Sequence, residues 1–108
     1  MRYYQMHNDF NHGLSENDID IIRNILKIYH NDIDKVGIFG SRATGTYKPY
    51  SDIDIVLYGT LSQEKSNHIQ TLFIDSPLIY KVDILTYNDI DYVPLKEHID
   101  KCVKELVL

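Results

Sequence analysis

Apolar residues recur along the chain with two periods, and the switches between them mark the elements. Ser15 has the chemistry of a helix N-cap, with Asp18 three residues on to answer it. Ile21, Ile22, Ile25, Leu26, Ile28 and Tyr29 then form a stripe of helical spacing, which predicts a helix over about residues 15–30. Lys35–Phe39 is a short β-branched and aromatic run that stops at Gly40 and reads as a strand. Ser41–Tyr50 is polar, contains Gly45 and Pro49, and predicts a short helix followed by a loop. Asp52–Tyr58 is the strongest strand. Ser62 suits the cap of a further helix, with Ile69, Leu72 and Phe73 on its buried side and Pro77 beyond its end. Tyr80–Leu85 reads as another strand. Pro94 fits the first turn of a last helix, along which Leu95, Ile99, Cys102, Val103 and Leu106 line up. The order is helix, strand, short helix, strand, helix, strand, helix. It predicts an α/β or α+β fold with a small sheet, formed by residues 15–108 as a single domain after a polar lead-in at 1–14.

Length fits that picture, because 108 residues suffice for one modest core and leave no room for a second domain. No apolar run approaches the roughly 18 residues of a membrane span, and residues 1–14 lack the apolar stretch of a secretory signal. Membrane association is therefore not expected. A lone cysteine, Cys102, excludes an internal disulfide and suits a reducing cytoplasm. The net charge of −5 is opposite to that of proteins that grip duplex nucleic acid by its phosphates. It does not exclude a phosphate-bearing ligand, since metal ions bridge carboxylates to phosphates. The histidines, His7, His12, His30, His68 and His98, show no metal-ligand spacing and read as surface or boundary residues.

The candidate chemistry lies in aspartates. Asp-Ile-Asp occurs at 18–20, 32–34, 52–54 and 89–91, so the tripeptide alone carries no information. Asp18 and Asp20 fall in the first turn of a helix, where the dipole favours acids. Asp32/Asp34 and Asp89/Asp91 fall in connections and read as solvated turn carboxylates. Asp52 and Asp54 instead open a strand, which puts both on one face with Cα atoms about 6.6 Å apart. Ile53, Ile55 and Leu57 then point into the core. No lysine or arginine stands between the two acids, and like charges so close are costly without a cation. Oxygen-only ligands suit Mg²⁺. On the Tyr80–Leu85 strand, Asp83 faces away from Val82 and Ile84; beside the Asp52–Tyr58 strand it would complete a set of three, as ligand or general base.

Gly40-Ser41-Arg42-Ala43-Thr44-Gly45 follows a strand and opens a short helix, a junction whose backbone N–H groups and dipole suit phosphate. Gly40 permits close approach, Ser41 adds a hydroxyl, and Arg42 or Lys48 could meet phosphate charge. Gly40 and Gly45 match the glycines of a P-loop, but Thr46-Tyr47 stands where Lys-Ser/Thr is required, so that motif is absent.

Taken together, Gly40-Ser41, ten intervening residues, Asp52-Ile53-Asp54 and a later strand aspartate resemble the signature of the polymerase-beta-type nucleotidyltransferase superfamily. The stretch FGSRATGTYKPYSDIDIVLYG is similar to its small stand-alone members, the minimal nucleotidyltransferases, and the resemblance covers about residues 15–108. It implies a small mixed sheet flanked by helices, two Mg²⁺ ions and ATP or another nucleoside triphosphate as substrate. It implies that Gly40 and Ser41 bind the triphosphate, that Asp52 and Asp54 hold the metals, and that Asp83 is the third carboxylate. Arg42 and Lys48 lie outside the signature's invariant core.

The chemistry implied is in-line attack of an acceptor hydroxyl on the α-phosphorus, with loss of pyrophosphate. Relatives of this size resemble antitoxins encoded beside a small helical HEPN-type protein, which implies AMP transfer to a tyrosine of such a partner; a homo- or hetero-oligomer is compatible with this. The tail aromatics and the apolar side of the last helix are the expected docking surfaces. The alternatives are an enzyme acting on a small-molecule hydroxyl, such as an antibiotic, and a catalytically idle nucleotide-binding subunit.

Overall fold

The computed structural model describes residues 10–107. The first helix, α1 (Glu16–Leu26), begins with a complete capping box. Asp18 N–H donates to Ser15 Oγ, and Ser15 N–H donates to Asp18 Oδ2, each at 3.0 Å. Two orphan donors of the first turn are thereby satisfied. Helical residues continue only as a tight turn at Lys27–Tyr29, so the long apolar stripe is split into a helix and a single 3₁₀ turn. Strand β1 (Ile33–Phe39) starts two residues before Lys35 and takes Asp34 into the sheet. It leads into α2 (Ser41–Thr44), a single turn. Strand β2 (Ile53–Gly59), helix α3 (Gln63–Ile74), strand β3 (Val82–Thr86) and helix α4 (Val93–Cys102) follow. Ser62 Oγ caps α3 by accepting from Lys65 N–H.

The chain does not end in helix as its spacing predicts. Val103 turns to extended backbone, and Lys104–Glu105 form a short strand, β4. Ile99 is buried on one side of the sheet with Phe39 and Val56, while Leu106 is buried on the other side with Ile22 and Leu26. A continuous helix could not reach both. Gly37 makes room for this return, because a Cβ there would collide with Cγ2 of Val103.

The sheet has the order β3-β2-β1-β4. β1 is antiparallel to both β2 and β4, whereas β2 and β3 run parallel, joined through α3. It is a mixed sheet in an α+β fold, as expected. Ile53, Ile55 and Leu57 of β2 point to α1 and α3, where they join Ile22, Leu26, Ile38, Ile69 and Phe73 in the larger core. Val56 and Tyr58 alternate to the other face and pack with Leu95, Ile99 and Cys102 of α4. Phe10 and Leu14, in the lead-in, are half-buried against the larger core. The earlier tail aromatics lie outside the described residues. Among the described residues no helix is long and apolar enough to cross a membrane.

Candidate active site

Two of the four Asp-Ile-Asp copies have local structural work. Asp18 closes the capping box and Asp20 pairs with Arg23. Asp32 is not a free turn carboxylate: both its oxygens accept from Lys65 Nζ at 3.1 Å, which ties the start of β1 to α3. Asp89 ends an exposed 3₁₀ turn.

The remaining copy sits where three backbone segments converge. The antiparallel register sets Asp54 opposite Phe39, the last residue of β1, so the turn at Gly40 lies against the start of β2. The parallel register sets Asp54 beside Asp83. Asp54 shares the sheet face of Val56, and Asp83 that of Leu85, so both carboxylates project on the side of α4. Asp52 is exposed just ahead of the strand. The three acids thus gather at one end of β2 and β3, with the Gly40–Ser41 turn beside them.

Burial, and then the carboxylates of Asp83 and Asp52, push the Asp54 carboxyl above the usual carboxylate range; Lys81 pulls it partly back. Lys81 Nζ is 3.7 Å from Asp83 Oδ1, a counter-charge absent from the sequence reading. Both side chains are well exposed, so this pair is weak and open to replacement. An all-oxygen set in which one acid is burdened by two like charges fits a hard divalent cation. Among the described residues, no three His, Cys, Asp or Glu side chains close around a point as a cage would.

Gly40 has φ 73° and ψ −153°, a backbone region essentially reserved for glycine. A Cβ at this position would strike Asp54 Oδ2. Its carbonyl accepts from Ala43 and Thr44, and that of Ser41 accepts from Gly45 and Thr46, which closes the turn compactly. With one helical turn in α2, the dipole expected at this junction contributes little; close approach at Gly40 and the Ser41 hydroxyl are what it offers an anion.

Arg42 corrects the expectation that it meets phosphate. It is 1% exposed. Its Nε and Nη2 donate to Ser51 O and its Nη1 to His12 O, while its guanidinium lies over the rings of Tyr47 and Tyr80. Each nitrogen of the guanidinium donates to a backbone carbonyl, so Arg42 fastens the residue before Asp52 to the glycine turn and the lead-in. Lys48 is exposed; its backbone joins a tight turn with Ser51. His12, read as a boundary residue, has a lowered pKa through burial and the nearby Arg42 charge, and its Nδ1 accepts from Leu14 N–H. Sequence reasoning missed Gln70, whose side chain reaches the strand that carries Asp83.

Grooves flank the sheet among the described residues. One, of about 420 Å³, runs along the β3 edge from Phe73 and Ile74 past Tyr80 to Lys81 and Asp83. A larger one of about 510 Å³, between α1 and β4, contains none of the three gathered acids.

The model of the nucleotidyltransferase domain family matches residues 16–107. No curated protein matches the chain. Solved structures do. A chain from a toxin–antitoxin complex with AMP-PNP is 23% identical, with a TM-score of 0.68 over 83% of this chain and 73% of that one. A chain from a mutant toxin–antitoxin complex of the MntA type is 25% identical, with a TM-score of 0.66 over 87% of this chain and 72% of that one. A chain from a complex of tri-AMPylated Shewanella oneidensis HEPN toxin with MNT antitoxin is 20% identical, with a TM-score of 0.62 over 82% and 68%.

Proposed function

Because the chain belongs to the nucleotidyltransferase domain family, we propose that it transfers AMP from ATP to an acceptor hydroxyl, using Mg²⁺ held by Asp52, Asp54 and Asp83. The observation that carries this reading is the side-by-side register of Asp54 and Asp83, with Gly40 backed onto the Asp54 carboxylate.

In the reaction a bond forms between the acceptor oxygen and the α-phosphorus, and the bond from that phosphorus to the bridging oxygen breaks. Pyrophosphate leaves with the bond electrons. In this reading Asp83, whose side chain is well exposed, takes the hydroxyl proton. Gly40 and Ser41 line the place for the triphosphate, and exposed Lys48 adds positive charge at its approach. Bound Mg²⁺ supplies neutralisation of phosphate charge and a lowered pKa of the attacking hydroxyl. The protein's own share is positioning: the rigid sheet fixes two carboxylates, and buried Arg42 fixes the segment before the third.

The acceptor in this reading is a tyrosine on a small helical HEPN-type partner, with the present chain acting as an MNT-type antitoxin. Support comes from the neighbouring fold found in complex with an AMPylated HEPN toxin. The site is also open, with Asp52 exposed, which suits a protein surface better than a small enclosed substrate. Intact mass of the co-expressed partner, with and without Mg·ATP, tests it. Gain of one or more adenylyl groups is expected with the wild-type chain and none with Asp54→Asn. An unmodified partner, together with turnover of a small hydroxyl compound by the isolated chain, would instead establish the small-molecule alternative.

A further inference from the structure

Among the described residues β3 is an edge strand, and one side chain guards its outer edge. Gln70, on α3, donates from Nε2 to Val82 O at 2.6 Å and accepts at Oε1 from Ile84 N–H at 3.2 Å. These are the backbone groups immediately before and after Asp83. A single carboxamide therefore stands in for the missing neighbouring strand over the dipeptide step that aims Asp83. An edge without such a partner would exchange its hydrogen bonds with water, and the 420 Å³ groove brings solvent to this place. Across the strand, pairing with β2 fixes Asp83 beside Asp54. Gln70 holds the other side.

We propose that Gln70 is a positioning residue for Asp83: its carboxamide clamps the Val82–Ile84 backbone so that the Asp83 carboxylate keeps a single orientation toward Asp54. This rests on the reading of Asp83 as part of the metal and proton-transfer site. The side chain has the right chemistry for the task, because a carboxamide offers a donor and an acceptor at the spacing of a peptide group and carries both at any pH. Leucine would keep its bulk and lose both bonds. Glutamate would keep the acceptor for Ile84 N–H and set a carboxylate oxygen against the Val82 carbonyl.

The test uses the full chain as wild type, Gln70→Leu, Gln70→Glu and Asp83→Asn. Two NMR measurements read position without chemistry: hydrogen exchange of the Ile84 amide and the side-chain rotamer couplings of Asp83. We expect faster Ile84 exchange and averaged Asp83 couplings in Gln70→Leu, with Gln70→Glu between it and wild type. A third measurement, Mn²⁺ titration in the presence of ATP, reads the consequence. We expect about a tenfold weaker metal dependence of nucleotide transfer in Gln70→Leu, with KM for ATP unchanged. A purely structural role would lower stability and leave the metal dependence where it was. Fixed Asp83 couplings and a protected Ile84 amide in Gln70→Leu overturn the proposal. Should Gln70→Leu fail to fold, the same readings on Gln70→Glu decide it. Unchanged transfer by Asp83→Asn would remove Asp83 from the reaction, an outcome separate from the Gln70 couplings.

Discussion

Oδ2 of Asp54 occupies the space that a side chain at residue 40 would need. Gly40 follows the end of β1 and Asp54 lies in the adjacent β2, and each limits the other: glycine at 40 lets the carboxylate sit against the turn, and the carboxylate leaves no room for anything larger. Gly40→Ala must therefore strain its own backbone and displace Asp54. We expect a loss of about 1–3 kcal/mol in stability, read as a lower urea midpoint. Labelled-nucleotide transfer should fall by orders of magnitude. Wild-type transfer by this variant would show that the turn and the carboxylate act independently.

Asp54 itself is expected to separate stability from activity. It is partly buried and repelled by Asp83 and Asp52, so Asp54→Asn relieves repulsion while removing a proposed ligand. In the presence of a chelator, the variant should melt above the wild type; sites built for function commonly cost stability in this way. Mg·ATP should raise the wild-type melting temperature and leave the variant's nearly unmoved. Equal stabilisation of both by Mg·ATP would argue against Asp54 as a metal ligand.

Arg42 should matter through the fold. Arg42→Met leaves the carbonyls of His12 and Ser51 without these donors in a half-buried setting, and we expect it to cost about 1–3 kcal/mol by denaturant unfolding. Arg42→Lys should recover little, because an ammonium cannot present a planar fork to two separate carbonyls. If Arg42→Met were as stable as the wild type and only its KM for ATP rose, Arg42 would be a phosphate contact after all.

His12 makes the lead-in sensitive to acid. Its folded-state pKa is lowered, so the unfolded chain binds the proton more readily. The stability it contributes is full above the ordinary histidine value of about 6.5 and is lost as pH falls through the lower folded value. Protonation also puts a hydrogen on Nδ1, which accepts from Leu14 N–H. Urea midpoints should drop between pH 7.5 and 5, and drop less for His12→Asn, whose side-chain oxygen can accept without titrating. Equal pH slopes would exclude His12 as the cause.

Much of the architecture was legible because its signals are local. The capping box at Ser15, the glycine after Phe39 and the alternation of Ile53, Ile55 and Leu57 each announce an element from neighbouring residues. That Asp54 and Asp83 sit side by side could be anticipated only by assuming that their strands pair, and Asp52 falls just ahead of β2, where the strand period does not place it. Other features depend on distant partners. β4 is two residues long, too short to show a period, and the spacing of Val103 and Leu106 fits a helix equally well. Arg42, beside a glycine-serine turn, looks like an anion contact until the carbonyls of His12 and Ser51 are brought to it. Gln70 gives no signal at all in the chain; only the edge position of β3 shows what its amide does.

The parallel pairing of β2 and β3 has a consequence in time. An antiparallel hairpin such as β1–β2 joins neighbours in sequence, but Asp83 reaches Asp54 only after the whole of α3 has folded back across the sheet. Such long-range closure is slow compared with local contacts. During synthesis, the glycine turn and the first two acids would emerge and assemble first, forming half a site that holds no complete set of carboxylates. The pairing that sets Asp83 beside Asp54 thus waits on more of the chain than the pairing that sets Asp54 against the glycine turn.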